Sequence, residues 1–336
     1  MTLEEGPAVI SALGPGWWTA IFLIACAAVI SRLFMIRISW RIFWQSRIPS
    51  RELTARLAEA RAAEPLTVTW LGHATSLIQI GSRFILLDPL LFDHIGRLQR
   101  RLVQAGMDPQ NLPPIDLTAV THGHLDHLDW PSLKAIRGGG GLVVPRGLAK
   151  YMPAKPPYST IVELRNYQSY ESAGIKITAV PAKHWGGRYG VDGLWARAYC
   201  GFVLEADGFT IYYAGDSGPQ EPMFREIGRR WKIDVAILPL GPEQPRWIMR
   251  INHMNGKKVL HAFETLGAAH LIPVHHSTII QSYDPLGEPR RSFSEMIKSR
   301  PDADAIHLLF FGQQASFDRR GGRLVHTGVR GPETDW

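Results

Sequence analysis

Four times in this chain a short β-rich run ends directly in a cluster of metal-ligating side chains. LTAV at 117–120 leads into THGHLDH, IKITAV at 175–180 into PAKH, FTIYYA at 209–214 into GDSG, and LIPV at 271–274 into HHS. Strands that end at one edge of a sheet deliver their following loops to one place, where α/β folds build their sites. The recurrence therefore predicts an α/β fold with aligned strand ends. LTVTWL, TSLIQI, RFILLD, AYCGFVLEA and DVAILPL supply further strand candidates, broken at Gly72 and Gly81-Ser82. Helical patterns lie between them: PSLKAI, EPMFREIGRRW, GKKVLHAFETL and SFSEMIKSR. Asn255 is placed to cap the third and Gly267 to end it.

The first cluster carries the most information. Three of the chain's 13 histidines fall within residues 122–127. His122 and His124 alternate, so in an extended or tightly turned loop they point to one side. Asp126 and His127 follow on the next bend. Neutral imidazoles and carboxylates suit zinc or a related divalent ion. Four donors in six residues strain a single ion, whereas two adjacent sites satisfy them more easily. His184, Asp216 and His275 stand at the other strand ends, and a carboxylate such as Asp216 can bridge. The lone histidines His94, His261, His270, His307 and His326 are expected at the surface or in the core. With two cysteines, Cys26 and Cys200, the chain has neither a disulfide framework nor a cysteine-rich zinc site.

The net charge of +7 suggests nucleic acid until it is located. Residues 32–61 hold seven arginines, no lysine and two glutamates, which leaves 30 basic and 28 acidic residues elsewhere. The remaining body is nearly neutral, so nucleic acid is not the expected partner. Just before this basic stretch, Gly6 to Ser31 is free of formal charge. Its denser part, WWTAIFLIACAAVI, is followed by Arg32, Arg37, Arg41 and Arg47, with no Lys or Arg before it. The expectation is a membrane-associated helix over residues 17–36, spanning or lying on the bilayer, with the C-terminal side in the cytoplasm. A helix packed on the protein is the alternative. Residues 1–48 thus form an apolar membrane segment with a basic flank. Residues 49–64 read as a helical connector with Ser50 as a possible N-cap, and residues 65–336 as the catalytic domain.

THGHLDHLD resembles the HxHxDH signature of metallo-β-lactamase-fold hydrolases, and the order His122, His124, Asp126, His127, His184, Asp216, His275 is similar to their ligand set. The resemblance covers about residues 65–315 and implies a four-layer αβ/βα sandwich with a dinuclear site at the sheet edge. WLGHATSLIQI, LLDPLL, PAKHWGGRYG, EQPRWIMRINHMNGKK and LIPVHHST narrow it, being similar to N-acylphosphatidylethanolamine phospholipase D and its bacterial relatives. That branch implies His122, His124 and His184 on one metal, Asp126, His127 and His275 on the other, and Asp216 between them. It also implies a non-ligand catalytic role for His253, and supporting roles for His73 and Asp88. The usual Trp-Gly-Thr after the last ligand is His276-Ser277-Thr278 here.

Together these readings imply a hydrolase that cleaves a phosphodiester in a phospholipid-like substrate through a hydroxide held by two divalent ions, zinc or alternatively manganese. Asp126 would ligate and orient that hydroxide. Arg188 and Arg246 are candidate phosphate contacts, and Trp185, Tyr189, Trp195 and Trp247 candidates for an acyl groove. A lactonase or amidase of the same fold is the rival enzyme, and a membrane-anchored binding protein with a vestigial site the rival from another class. Oligomeric state stays open.

Overall fold

The computed structural model describes residues 15–45, 47–96, 99–138, 140–153, 158–188, 192 and 197–332. In chain order its strands are β1 (Leu66–Gly72), β2 (Thr75–Ile80), β3 (Arg83–Leu87), β4 (His94–Ile95), β5 (Gln99–Arg100), β6 (Leu117–Ala119), β7 (Gly141–Pro145) and β8 (Ile161–Leu164). They continue with β9 (Ser169–Ser172), β10 (Ile175–Val180), β11 (Gly201–Ala206), β12 (Phe209–Tyr213), β13 (Val235–Pro239), β14 (His270–Val274), β15 (Gln314–Arg320) and β16 (Arg323–Arg330). The helices are α1 (Pro15–Gln45), α2 (Trp130–Ala135), α3 (Glu221–Arg230), α4 (Arg246–Met249), α5 (Gly256–Leu266) and α6 (Glu288–Ile297).

Two mixed sheets face each other, in the orders β16-β15-β1-β2-β3-β6-β7-β8 and β14-β13-β12-β11-β10-β9. Alternation along the strands builds the interior. Ile78, Ile80, Ile85 and Leu87 of the first sheet meet Ile177, Phe202, Leu204 and Ile237 of the second in one apolar cluster. The opposite faces are also apolar, because both are covered. Val203, Tyr212, Ala236 and Leu238 pack under α3, α5 and α6. Val120, Leu142 and Val144 pack near α2. Leu77, Phe84 and Leu86 pack against Leu57 and Ala60. The expected helix-sheet-sheet-helix layering is present, with one outer layer made partly of extended chain. Asn255 accepts from Lys258 N at 3.2 Å to cap α5, and Gly267 closes it with a left-handed φ of 63°.

Strand directions explain the shared edge. β10 and β11 are antiparallel, as are β11 and β12, while β12, β13 and β14 run parallel. So β10, β12 and β14 all point the same way and end in the loops carrying His184, Asp216 and His275. The HxHxDH loop arrives from β6 in the other sheet and is stitched across by Cys200 N donating to Thr121 O at 3.0 Å.

Two expectations are corrected. Residues 49–64 are not a helix but an extended segment lying along the domain. Ser50 Oγ donates to Arg101 O at 2.8 Å, Arg51 bridges Val103, and Leu57 N donates to Gly106 O at 2.9 Å. A short isolated helix is marginal in water, and here backbone pairing plus burial of Leu57 and Ala60 outweighs its propensity. The N-terminal segment does form a helix, but α1 runs through Gln45, and among the described residues no helix is long and apolar enough to cross a membrane. The expected membrane-spanning segment is therefore unsupported. Arg32, Arg37 and Arg41 divide its apolar sequence, and the C-terminal half docks on the domain. Ile38 is buried, and Arg41 Nη1 donates to Ser282 O at 2.7 Å.

Far from the strand-end loops, His307 and His270 share a hydrogen bond at 3.1 Å. Burial, then His326 and His270, push the His307 imidazole down to about 3. The unfolded chain binds this proton near pH 6.5 and the folded one does not. The stability is thus fully present above about 6.5 and is lost as pH falls toward 3. His307→Phe is expected to flatten the fall in Tm between pH 6.5 and 4 relative to the parent. Equal slopes would refute this.

Candidate metal centre

The structure brings together all seven side chains singled out at the strand ends. In the HxHxDH loop, His127 N and Leu128 N both donate to His124 O, at 3.1 and 2.9 Å, which closes the turn. That turn puts His122 Nε2 2.9 Å from His124 Nδ1, and His184 Nε2 comes within 3.3 Å of the same atom. On the other side Asp216 Oδ1 lies 2.9 Å from His275 Nε2 and 3.5 Å from His127 Nε2. Asp216 Oδ2 is 3.7 Å from His184 Nε2. Asp216 thus stands between two groups of nitrogens. Gly215 makes this possible: its φ is 56°, and a Cβ there would lie 2.6 Å from Thr121 Cγ2.

The electrostatics follow from the packing. Burial alone would raise the Asp216 carboxyl, but His275 and His127 overcome it and hold the group well below its usual range. For Asp126 burial again opposes, and His127 together with the His73 hydrogen bond wins, so the carboxyl is held low. Burial also opposes a proton on His127, yet Asp216, Asp88 and Asp126 keep its pKa above the ordinary value. Burial pushes His122 and His184 well down, helped at His122 by its neighbouring imidazoles.

This donor set fits metal ions. His127 Nε2, His275 Nε2 and Asp216 Oδ1 are buried, face one another, and make no hydrogen bond. Buried polar atoms are rarely left so. The groups His122-His124-His184 and His122-His127-Asp216 each have ligand atoms within 4.8 Å of one another, as do His73-Asp126-His127-His275 and His184-Asp216-His253.

The supporting residues are clearer here than in the sequence. Asp88 is fully buried. It accepts from His127 Nδ1 at 2.7 Å, from Thr121 N and Oγ1 at 2.7 Å each, and from Tyr213 OH at 2.8 Å. The His127 contact fixes the tautomer that turns a bare Nε2 inward. His73 Nε2 lies 2.9 Å from Asp126 Oδ2, and Gln281 Nε2 donates to the same oxygen at 2.8 Å. His73, Asp88 and His275 all have left-handed backbones, with φ of 54°, 42° and 68°. Such conformations persist only where surroundings enforce them. Here His275 N donates to His73 O at 2.8 Å, and Asp88 N to Ala119 O at 2.9 Å. Gln281 was invisible in the sequence, since no spacing rule ties residue 281 to residue 126. Asp88→Asn is expected to weaken metal binding about 10–100-fold, measured by competition with a chelator. Unchanged affinity would mean that the Asp88 contact does not govern His127.

The remaining candidates divide. His253 sits beside the centre, its ring 5.4 Å from that of His184 and 5.8 Å from that of His275. Its Nδ1 is buried without a hydrogen bond, and burial pushes its pKa down to about 4. Arg188, expected as a phosphate contact, spends one guanidinium nitrogen on the loop itself. Its Nη1 donates to Leu128 O at 2.7 Å and Gly123 O at 3.2 Å, bracing the HxHxDH loop by satisfying its carbonyls. Trp185 packs edge-on to His124 at 5.0 Å, and Trp247 is exposed on α4. Tyr189 and Trp195 lie outside the described residues.

Residues 83–276 match the beta-lactamase superfamily domain, which is more than half of the chain. A metal-dependent hydrolase of Methanoregula boonei is 34% identical over 242 residues, covering 72% of this chain and 94% of that one. The chain is a metal-dependent hydrolase of the metallo-β-lactamase superfamily. Another relative of this hydrolase is an N-acyl-phosphatidylethanolamine-hydrolyzing phospholipase D of Caenorhabditis elegans, 29% identical over 279 residues and covering 76% of each chain. Among solved structures, a possible metal-dependent hydrolase from Veillonella parvula superposes with a TM-score of 0.62 at 20% identity, covering 75% of this chain and 99% of that one.

Proposed function

We propose that this hydrolase cleaves a phosphodiester bond in a phospholipid-like substrate at a membrane surface, using two divalent ions, zinc in the first place. The observation that carries this reading is a basic recess beside the centre. A cavity of about 290 Å³ is lined by His253, Arg246, Arg250 and Lys258, with Glu243 as its one acidic group. Arg246 Nη1 pairs with Glu243 at 2.9 Å, which leaves a net positive recess. A phosphodiester carries a negative charge that such a recess favours. A lactone or amide carries none. The Caenorhabditis elegans relative supports the lipid assignment.

When bound, the ions would supply Lewis acidity and an activated water. His122, His124, His184, Asp126, His127, Asp216 and His275 would hold them. His73 and Gln281 hold Asp126 so that its carboxylate presents one orientation to the centre. His253, neutral at pH 7, is placed to take or return a proton at its ring nitrogen facing the substrate. Arg250 and Lys258 orient the phosphate.

Membrane association is part of the proposal. Trp17, Phe22, Leu23, Ile24, Ile30 and Leu33 of α1 are all exposed. A contiguous apolar patch of this kind marks an interaction surface, and arginines beyond it suit anionic headgroups. In this reading α1 holds the chain at the membrane and the catalytic domain faces the cytoplasm. Deleting residues 1–48 should move the protein to the soluble fraction with its fold intact, as read by fractionation and circular dichroism. Continued sedimentation with membranes would sink the assignment.

The test of the reaction is a panel of phospholipids, N-acylated phospholipids, lactones and a generic phosphodiester, with products read by mass spectrometry. Phosphodiester products are expected, and Arg250→Glu should raise KM for them about 10-fold or more. Turnover of lactones alone would transfer the assignment to the carbonyl-hydrolysing rival.

A further inference from the structure

A second cavity lies near the metal centre and adjoins the basic recess at Pro242, which lines both. Its volume is about 410 Å³, and it is lined by His275 and His276 at one end and by Arg41 and Gln45 of α1 at the other. Between them stand Leu102, Leu240, Ile279, Ile280 and Leu286. The chain at His275-His276 and the N-terminal helix thus border the same space. The volume lies within the range of ligand-binding pockets.

We propose that this cavity holds a hydrocarbon chain of the amphiphilic substrate, with α1 as one of its walls, so that the helix exposed to the bilayer also forms part of the substrate site. The proposal rests on the lipid reading above and names where the chain goes. Three observations point to it. The lining between the two ends is mainly apolar, with Arg51, Gln281, Ser282 and Asp284 as its polar members, whereas the recess beside His253 is cationic, so a mainly apolar arm adjoins a basic arm at Pro242. That is the polarity of one phosphate amphiphile. The cavity is also continuous with the uncovered apolar surface of α1. Ile36 and Trp40 border a neighbouring open recess with Arg37, Arg41, Tyr283 and Pro285, which gives a chain an apolar path from the helix inward.

The third observation is that the wall is built, not incidental. Arg41 Nη1 donates to Ser282 O at 2.7 Å, the Arg37 guanidinium lies 5.7 Å over the Tyr283 ring, and Asp284 accepts from Glu243 N at 2.7 Å. These contacts tie α1 to the 277–289 loop and that loop to the basic recess. At the inner end His276 is 3% exposed. Its ring lies tilted at 44°, 4.4 Å from that of Trp70, and its Nε2 makes no hydrogen bond. It is a buried polar group at the junction between chain and head. The histidine that departs from the family pattern therefore stands where the substrate's polar and apolar parts meet.

The test uses the full-length holoenzyme in a mild detergent and two cavity-blocking variants, Leu286→Trp and Ile48→Trp. Both positions are exposed at the rim, so both variants should fold, and neither touches the centre. Binding of dodecyl phosphate and of ethyl phosphate is measured by calorimetry below the micelle concentration. The parent should bind the dodecyl ester at least about 10-fold more tightly, and each variant should lose that advantage while binding ethyl phosphate as before. The exposed half of α1 is the same in all three proteins, so adsorption to it cannot produce the difference. No chain-length advantage in the parent, an undiminished advantage in both variants, or an equal loss for both esters would each overturn the proposal. If the chain-length result holds but no phosphodiester is cleaved in the substrate panel, the reaction assignment falls and the chain site stands.

Discussion

Replacing Asp216 by alanine should lower turnover by about 10³-fold or more and strip metal from the protein. The carboxylate lies between His184, His127 and His275, at 3.7, 3.5 and 2.9 Å. No other acidic side chain touches both groups of histidines among the described residues. Two divalent ions would bring four positive charges into a buried site, and the ligand set answers them with only Asp126 and Asp216. Losing Asp216 halves that compensation and removes the one contact that ties the two groups together. Elemental analysis and turnover on one preparation check this. The parent should hold near two ions per chain and the variant one or none. A variant retaining both ions and parental turnover would show that Asp216 does not bridge.

The second large effect is expected at His253. His253→Asn should leave metal content intact and reduce turnover about 10²–10⁴-fold, the usual worth of positioned proton transfer. The imidazole is close enough to His184 and Asp216 to form a ligand group with them, so the measurement has a real alternative to reject. What favours the non-ligand role is geometry around the centre. His184 and Asp216 already have partners in the His122-His124 and His127-His275 groups, and His253 also lines the basic recess where a leaving group would sit. Loss of one ion in His253→Asn would make it a ligand. Full metal with full activity would remove it from the chemistry altogether.

The helix α5 that follows His253 was legible from its Asn255 cap and Gly267 stop, because capping is local chemistry. The strands were legible for a related reason: residues buried on both faces read as short runs rich in apolar and β-branched residues, and β1, β2, β13 and β14 are buried along their full length. The extended segment at 49–64 was misread as a helix because its apolar spacing permits one. Its actual partners, Arg101 and Gly106, lie far along the chain. The hairpin β15–β16 extends the fold beyond the region of family resemblance and pairs with β1, a long-range closure with no sequence signature.

Arg188 shows the same limit from the other side. A guanidinium near an active site suggests an anion, yet whether it meets phosphate or carbonyls depends on which loop lies over it. Here the carbonyls of Gly123 and Leu128 take its Nη1.

The sequence by itself determined the metal-ligand inventory and its order, since a strand followed by histidines and aspartates leaves few other chemistries for those residue types. It also determined that the first forty-odd residues differ in kind from the rest. Only the tertiary structure decided that Asp88 sets the His127 tautomer and that Gln281 and His73 hold Asp126. Only it put a basic recess and a mainly apolar cavity side by side near the centre, and α1 against one of them. The physical reason is range. Ligand type, caps and strand burial are written in neighbouring residues, whereas the orientation of a ligand and the shape of the space around it arise where segments distant in sequence pack together.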